Sequence, residues 1–350
     1  MENRKAYVCI MAGGSGERFW PMSRKATPKH LLKLFSDQTL VEETVRRLDG
    51  IVPFENIFVL TNQAQLEATR QALSFLPTGQ IIAEPAKRDT AAAAALATAL
   101  VRTRDPEAVM ALLPADSLIK NQAVYARQVH AALARAAGSS ALLTFAIKPS
   151  YPATGFGYLE MADDLGNGFR RVARFVEKPD EPTAKEYLAG GNHAWNAGMF
   201  VWKVESFLAE ATKHTPMLAQ FIREFPAGDA AAYLAEKFPT LEPKVSVDYA
   251  IMEKAAAVET CLAEFDWDDV GTWTALPSHM SQDKAGNTNR GKVLALDSSN
   301  NIAVSNGRVI ALCGVQDLVV VETGDAVLVC HRDAVQQIKQ LMPDLPADVR

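Results

Sequence analysis

Cysteine and histidine are scarce in this 350-residue chain, and neither is arranged for chemistry. Its four cysteines, Cys9, Cys261, Cys313 and Cys330, lie far apart with no CxxC pair, which argues against a zinc site. Their apolar, strand-like settings predict reduced, buried thiols, as in a cytoplasmic protein. Its six histidines form no HxxxH, no HExxH and no Cys/His cluster, so a His–metal catalytic centre is not expected. Ser15 has no GxSxG elbow around it, which weighs against a hydrolase. No apolar run approaches the roughly 20 residues of a membrane span, and the short one near the amino end reads as a first strand rather than a signal peptide. Positive charge is not in excess: 36 Lys and Arg against 41 Asp and Glu give a formal charge of −5. That excludes the basic footprint of a general nucleic-acid binder. Neither nucleic acid nor membrane is therefore expected as a partner. A bound anion remains compatible, because local charge decides that.

Two nucleotide signatures are missing too. No Gly-Lys-Ser/Thr occurs, so there is no P-loop. Gly14-x-Gly16 is followed at the third position by Phe19, and no acidic residue closes a second strand about twenty residues on, so the dinucleotide fingerprint fails. What is present is an apolar strand, Tyr7–Met11, that drops into Gly13-Gly14-Ser15-Gly16 and then carries Arg18, Arg24, Lys25 and Lys29. Glycines let the backbone approach an anion, and a following helix would add its positive end. Alone, the glycines fit an ordinary tight turn equally well. The basic residues at fixed offsets, with Pro21 and Pro28 stiffening the segment, favour a phosphate cradle.

Strand and helix patterns alternate through the first two-thirds. Strands are expected at Tyr7–Met11, Ile57–Thr61, Gln80–Ala83, Ala108–Leu113 and Ala141–Ile147. Helices are expected at Leu40–Leu48, Gln63–Leu76, Asp89–Arg102 and Gln122–Ala137. Such alternation predicts an α/β, Rossmann-like, mostly parallel mixed sheet with helices on both faces. Gly155–Glu177 reads as an antiparallel insertion that could wall a pocket. Further helices are expected at Thr183–Ala189, Val204–His214, Met217–Glu224, Ala230–Phe238 and Val247–Lys254. After a polar linker at Gln282–Arg290 the chain becomes short β-branched runs with turn signals every eight to ten residues, then a helix at Asp333–Leu341. This predicts a main domain over 1–285 and a small β unit over 286–350 that must pack against something to bury enough surface.

Several acidic and basic residues sit where sites form, each with a plainer alternative. Asp89 or Thr90 suits a helix N-cap before the Ala-rich run Ala91–Ala95. Asp116 ends a buried strand, as a cap, a turn former or a site residue. Asp266-Trp267-Asp268-Asp269-Val270-Gly271-Thr272 is an acidic cluster ending in a tight turn. Two carboxylates from distant positions could hold one Mg²⁺, with phosphate oxygens and waters completing the octahedron. Glu177-Lys178 could be an exposed edge pair, and Trp195 and Phe200 plain core.

The string GGSGERFWPMSRKATPKHLL resembles the signature of the sugar-nucleotide pyrophosphorylases, and its Arg-Phe-Trp-Pro and Pro-Lys-His wording is most similar to the mannose-1-phosphate guanylyltransferases. Glu84–Thr90 resembles the family's EPxxRNT box, Phe175–Pro179 its FVEKP box, Trp195–Phe200 its WNAGMF box and Thr154–Tyr158 its TGYGY-like turn. The resemblance implies an enzyme that transfers GMP from GTP to mannose 1-phosphate with Mg²⁺. It implies a nucleotide site of Ala12, Gly13, Gly14, Ser15, Gly16, Glu17, Arg18, Lys29, Glu84, Pro85, Arg88, Asp89, Thr90, Pro114, Ala115 and Asp116. The sugar phosphate would meet Gly157, Tyr158, Glu177, Lys178, Asn196 and Gly198. The metal would sit on Asp116 and Asp269, with Arg18, Lys29 and Lys178 as catalytic cations. Asp89 stands where the box has Asn; it accepts hydrogen bonds but cannot donate. The tail around Gly307–Ile310 and Asp317–Val321 resembles the branch's small left-handed β-helix-like domain, and its exposed short strands, which seek a partner, make it the expected homodimer contact. Longer relatives add a cupin-type isomerase domain, so the short, single-activity form is expected. The rival readings are a pyrophosphorylase for another pair, such as glucose 1-phosphate with UTP, and a binding relative without turnover.

Overall fold

The computed structural model describes residues 6–77 and 79–350; the first residues of the segment weighed above as a signal peptide lie outside them. Among these residues a nine-stranded mixed sheet organises the amino-terminal three-quarters. The order along the chain is β1 (Ala6–Met11), α1 (Leu40–Arg46), β2 (Ile57–Asn62), α2 (Leu66–Ala72), β3 (Ile81–Glu84), α3 (Asp89–Arg104), β4 (Val109–Pro114), α4 (Gln122–Ala137) and β5 (Leu142–Ile147). There follow β6 (Tyr158–Gly166), β7 (Phe169–Val176), α5 (Glu181–Gly190), β8 (His193–Lys203), α6 (Val204–His214), α7 (Pro216–Glu224), α8 (Ala231–Lys237) and β9 (Val258–Leu262). The strands lie in the order β3-β2-β1-β4-β8-β5-β9-β7-β6.

β1 to β4 form a parallel half. Its central strands are buried on both faces, which is why β1, β2 and β4 read as unbroken apolar runs. One face is covered by α3, α6 and α7, the other by α1, α2 and α4. In α3 a row of alanines, Ala91 to Ala95, brings the helix close to the sheet. β8 runs antiparallel between β4 and β5. Its pairing with β5 slips between Thr144 and Ala146, and Gly198 has φ +66°. That irregularity, with Asn196 and Gly198 inside the strand, hides its alternation in the sequence. The β6–β7 hairpin forms the expected antiparallel edge. Val247–Lys254, expected as a helix, keeps only a short π-helical turn at Asp248–Met252.

Beyond residue 287, β10 (Thr288–Arg290), β12 (Ile302–Ser305) and β14 (Leu318–Glu322) stack in parallel, and β11 (Val293–Leu296) stacks on β13 (Ile310–Cys313). The eight-to-ten-residue rhythm is thus one short side of a coil. β15 (Val327–His331) closes the stack antiparallel to β14, and a 3₁₀ turn leads into α9 (Ile338–Leu341). The stack buries Ile302, Val304, Val319, Val321 and Leu328 against Phe19, Trp20 and Trp273, which supplies the surface it cannot bury alone. All four cysteines are free, but only Cys9 and Cys261 are buried. Cys313 is exposed and Cys330 half-buried, because a thin β stack turns alternate residues to solvent.

Candidate active site

A cleft of about 590 Å³ opens at the carboxyl ends of β1 and β4 and runs towards the β6–β7 hairpin. A second cavity of about 350 Å³ adjoins it, sharing Met11, Gly16, Lys29, Thr90, Pro114 and Asp116. The glycine loop lies between the two. No α-helix follows it directly: Gly16 (φ +63°) leads into a 3₁₀ turn, Glu17–Phe19, another 3₁₀ turn follows at Lys29–Leu31, and the next α-helix begins at Leu40. Pro21 supplies no N–H and cannot continue the turn, so the expected helix dipole is absent. Cationic side chains must therefore supply the positive field. Phe19 and Trp20 are buried against Trp273, which anchors the turn from below and leaves Arg18 lining the cleft.

Gly16 is obligatory for a reason beyond its dihedral. A Cβ there would stand 2.5 Å from Lys29 Cβ and 2.6 Å from its backbone nitrogen. The loop thus rides directly on the Lys29 backbone, and Lys29 itself is buried. Its ammonium donates to Asp116 Oδ2 at 2.8 Å and to the backbone carbonyl of Asp269.

Asp116 and Asp269 come together through the backbone. Ala115 N–H donates to Met11 carbonyl at 3.0 Å, tying the end of β4 to that of β1. Leu118 and Asp268 exchange N–H···O bonds of 2.9 and 3.1 Å, which brings the Asp269 turn beside them. Asp266 accepts the N–H groups of Lys120 and Asn121, and Asp268 accepts from Val270 N–H and pairs with His279 at 2.7 Å. These two acids therefore brace the turn, leaving Asp269 to face the cleft. Val270 takes φ +48°, costly for a β-branched residue, and is held there by burial against Phe19 and Trp273. Burial pushes the Asp269 carboxyl up to about 6; Asp268 and Asp116 add to that, while Lys29 and Arg18 oppose it.

The second cavity collects Gly13, Gly14, Glu84, Arg88, Asp89, Thr90, Pro114 and Ala115. Asp89 has φ +66°, and its Oδ1 accepts from Thr90 N–H at 2.7 Å. The Thr90 hydroxyl accepts from Val247 N–H, so it is a clamp as well as a lining group. Arg88 pairs with Glu242 at 3.5 Å. Burial pushes the Glu84 carboxyl up to about 8.

The far end of the cleft is lined by Gly157, Glu177, Lys178, Asn196 and Gly198. A Cβ at Gly157 would meet Glu177 Oε2 at 2.5 Å, so this glycine makes room for that carboxylate. Glu177 and Lys178 form an ion pair, and Lys178 takes φ +48°. Asn196 accepts from the Thr144 hydroxyl at 2.6 Å and donates to Asp248 Oδ1 at 3.0 Å, keeping one amide hydrogen for a ligand.

Three expected residues lie elsewhere. Tyr158 is fully buried with Ala184 and Trp195 under the hairpin, because strand alternation turns it away where Gly157 lines the cleft. Ala12 commits its N–H to Leu60 and its carbonyl to the Thr61 hydroxyl, and Pro85 lines neither cavity. Several lining residues were not expected at a site, among them Phe156, Asp248, Trp267 and Lys339, and Phe200, expected as plain core, also borders the cleft. Only Asp248, a carboxylate set among apolar residues in Val247–Met252, carried a readable signal. Among the described residues no group of three or more His, Cys, Asp or Glu is placed to hold a metal, and no helix is long and apolar enough to cross a membrane.

A family model described as nucleotidyl transferase matches residues 7–286, and one described as the mannose-phosphate isomerase/GMP-like β-helix domain matches 291–345. The alginate biosynthesis protein AlgA of Pseudomonas aeruginosa is 38% identical over 97% of this chain and 72% of its own length. A mannose-1-phosphate guanylyltransferase of Klebsiella pneumoniae is 36% identical over 97% of this chain and 74% of its own. Among solved structures, a mannose-1-phosphate geranyltransferase from Thermus thermophilus superposes with TM-score 0.88 at 33% identity, covering 97% of this chain and 99% of that one. The chain belongs to the nucleotidyl transferase family, in the branch that contains the mannose-1-phosphate guanylyltransferases.

Proposed function

We propose that this enzyme transfers GMP from GTP to α-D-mannose 1-phosphate, giving GDP-mannose and pyrophosphate. The observation that carries this reading is the convergence of Arg18, Lys29, Lys178, Asp116 and Asp269 on one cleft, with a second cavity of base size beside it. A phosphate oxygen of the sugar attacks the α-phosphorus in line. The bond to the β-phosphate bridging oxygen breaks, and pyrophosphate leaves with that electron pair. The nucleophile is already ionised at neutral pH, so no general base is required. What the chain must supply is placement and positive charge. Arg18 and Lys29 offset the triphosphate, free N–H groups of the Gly13–Gly16 loop face it, and Lys178 steadies the sugar phosphate. Glu84 and Asp89 line the base and ribose side. Glu177, Asn196 and Asp248 meet sugar hydroxyls.

Asp116 and Asp269 line the same cleft, and Mg²⁺ commonly takes one or two carboxylates and completes its shell with phosphate oxygens and water. Asp116 and Asp269 would hold it. When bound, it would offset charge on the phosphates.

Measuring pyrophosphate release across a matrix of nucleotides and sugar phosphates tests the assignment. GTP with mannose 1-phosphate is expected to lead. A preference for UTP with glucose 1-phosphate overturns the pairing, and no release from any pair overturns turnover itself. Arg18→Ala and Asp269→Ala are each expected to lower kcat by about 10² or more with the fold intact. The protein is further proposed to act in the cytoplasm as a homodimer joined through the β stack, whose Leu294, Leu296, Val309, Val327 and Val329 are exposed.

A further inference from the structure

The cations lining the main cleft are Arg18, Lys29, Lys178 and Lys339. Two of them are already committed. Lys29 is paired with Asp116, and Lys178 with Glu177. Among the described residues neither the Arg18 nor the Lys339 side chain forms an ion pair or a hydrogen bond. Arg18 comes from the glycine loop's 3₁₀ turn. Lys339 comes from α9, at the other end of the chain and outside the sheet domain.

Its position is built. Ile338 and Val335 are buried in the same apolar cluster as Phe19 and Trp20, which sets α9 against the Glu17–Phe19 turn. The Trp20 indole N–H donates to the Val349 carbonyl at 2.7 Å, fastening the end of the tail to the same loop. The apolar anchor at Ile338 therefore fixes the backbone from which its neighbour, Lys339, lines the cleft. An exposed lysine on an ordinary surface helix has no such anchor beside a polyanion site.

We infer that Lys339 is a further anion-binding residue of this cleft, taking the terminal phosphates of the nucleotide and the departing pyrophosphate together with Arg18. The inference rests on the nucleotidyl-transfer reading above. It follows from location and charge. The two unpaired cations flank the loop that faces the phosphates, whereas Lys178, at the hairpin end, belongs to the sugar. A lysine suits this place because it is a point charge on a flexible stem, able to follow a leaving group whose shape changes. The β stack thus contributes a side chain to the site.

The test reads pyrophosphate binding directly, without turnover. Titration calorimetry of the full-length protein with sodium pyrophosphate is carried out for wild type, Lys339→Ala and Lys339→Arg. Lys339→Ala is expected to weaken binding roughly tenfold, as for loss of one charge-assisted contact. Lys339→Arg is expected to stay within about threefold of wild type, because the charge is kept. In turnover, KM for GTP rises with Lys339→Ala while KM for mannose 1-phosphate does not move. Unchanged melting temperatures show that the tail stays docked. Pyrophosphate binding equal to wild type in Lys339→Ala overturns the inference, as does a rise in KM for the sugar phosphate instead of the nucleotide. Either result leaves the GTP assignment standing. That assignment fails separately, when wild type releases no pyrophosphate from GTP and mannose 1-phosphate.

Discussion

Lys29 sits 2.8 Å from Asp116 Oδ2 and donates also to the backbone of Asp269, so one buried ammonium joins the ends of two remote loops. It holds the Asp116 carboxylate and the backbone of the Asp269 turn in place before any substrate arrives. Lys29→Met leaves Asp116 without its cation beside a second acid. We expect kcat to fall by roughly 10²–10³ and stability by about 1–3 kcal/mol, read by pyrophosphate release and thermal melting. Lys29→Arg should not rescue, since a planar fork cannot replace a point charge enclosed at this spot. Retention of near wild-type turnover in Lys29→Met would remove the residue from the chemistry.

The glycines of the loop should separate cleanly. At Gly16 a methyl group would press within 2.5 Å of the Lys29 Cβ, and φ is +63°. At Gly14 nothing lies within 4 Å of an added Cβ. Gly16→Ala is expected to lower stability by at least about 1–3 kcal/mol and to displace Lys29. Gly14→Ala should melt within about 0.5 kcal/mol of wild type yet raise KM for GTP, because its open side lines the cavity proposed to take the nucleotide. Equal melting of the two variants would show that the loop does not ride on Lys29.

Much of this was legible from local chemistry. Strands β1, β2 and β4 are continuous apolar runs because both faces are covered, and the loop's glycines and cations are adjacent in sequence. The convergence of Asp116 with Asp269 could be read only through family resemblance, since it depends on the Leu118–Asp268 backbone exchange. β8 was hidden because its site residues, Asn196 and Gly198, break the alternation that marks a strand. Tyr158 was misplaced by a single residue of strand alternation. Lys339 left no local sign, because its role depends on where a buried isoleucine anchors the tail.

Asp89 stands in a left-handed conformation at the head of α3, with Thr90 N–H on its Oδ1. Asn adopts that conformation readily, and its carbonyl oxygen can keep the same bond. It can also donate, and it carries no charge to oppose a phosphate. Asp89→Asn is therefore expected to leave melting within about 0.5 kcal/mol of wild type. Its KM for GTP should fall several-fold with kcat unchanged. A rise in KM would mean that the carboxylate accepts from the nucleotide.

Asp248 links the hairpin end of the cleft to the stability of the fold. Its carboxyl is pushed from 3.8 up to about 7, chiefly by burial and next by Glu177, with Lys178 opposing. The folded state therefore keeps a proton that the unfolded chain has already released. Between about pH 4 and pH 7 folding binds more protons than unfolding does, so this residue makes stability fall as pH rises, and above pH 7 the penalty is full. Asp248→Asn removes the titration while its carbonyl oxygen can still accept from Asn196. The variant's melting temperature, relative to wild type, is expected to climb as pH is raised from 4 to 7 and then level off, by an amount worth up to a few kcal/mol. A difference that stays constant over that range would show that Asp248 titrates normally. KM for mannose 1-phosphate should rise in the same variant if its carboxylate meets a sugar hydroxyl, which separates the two roles in one protein.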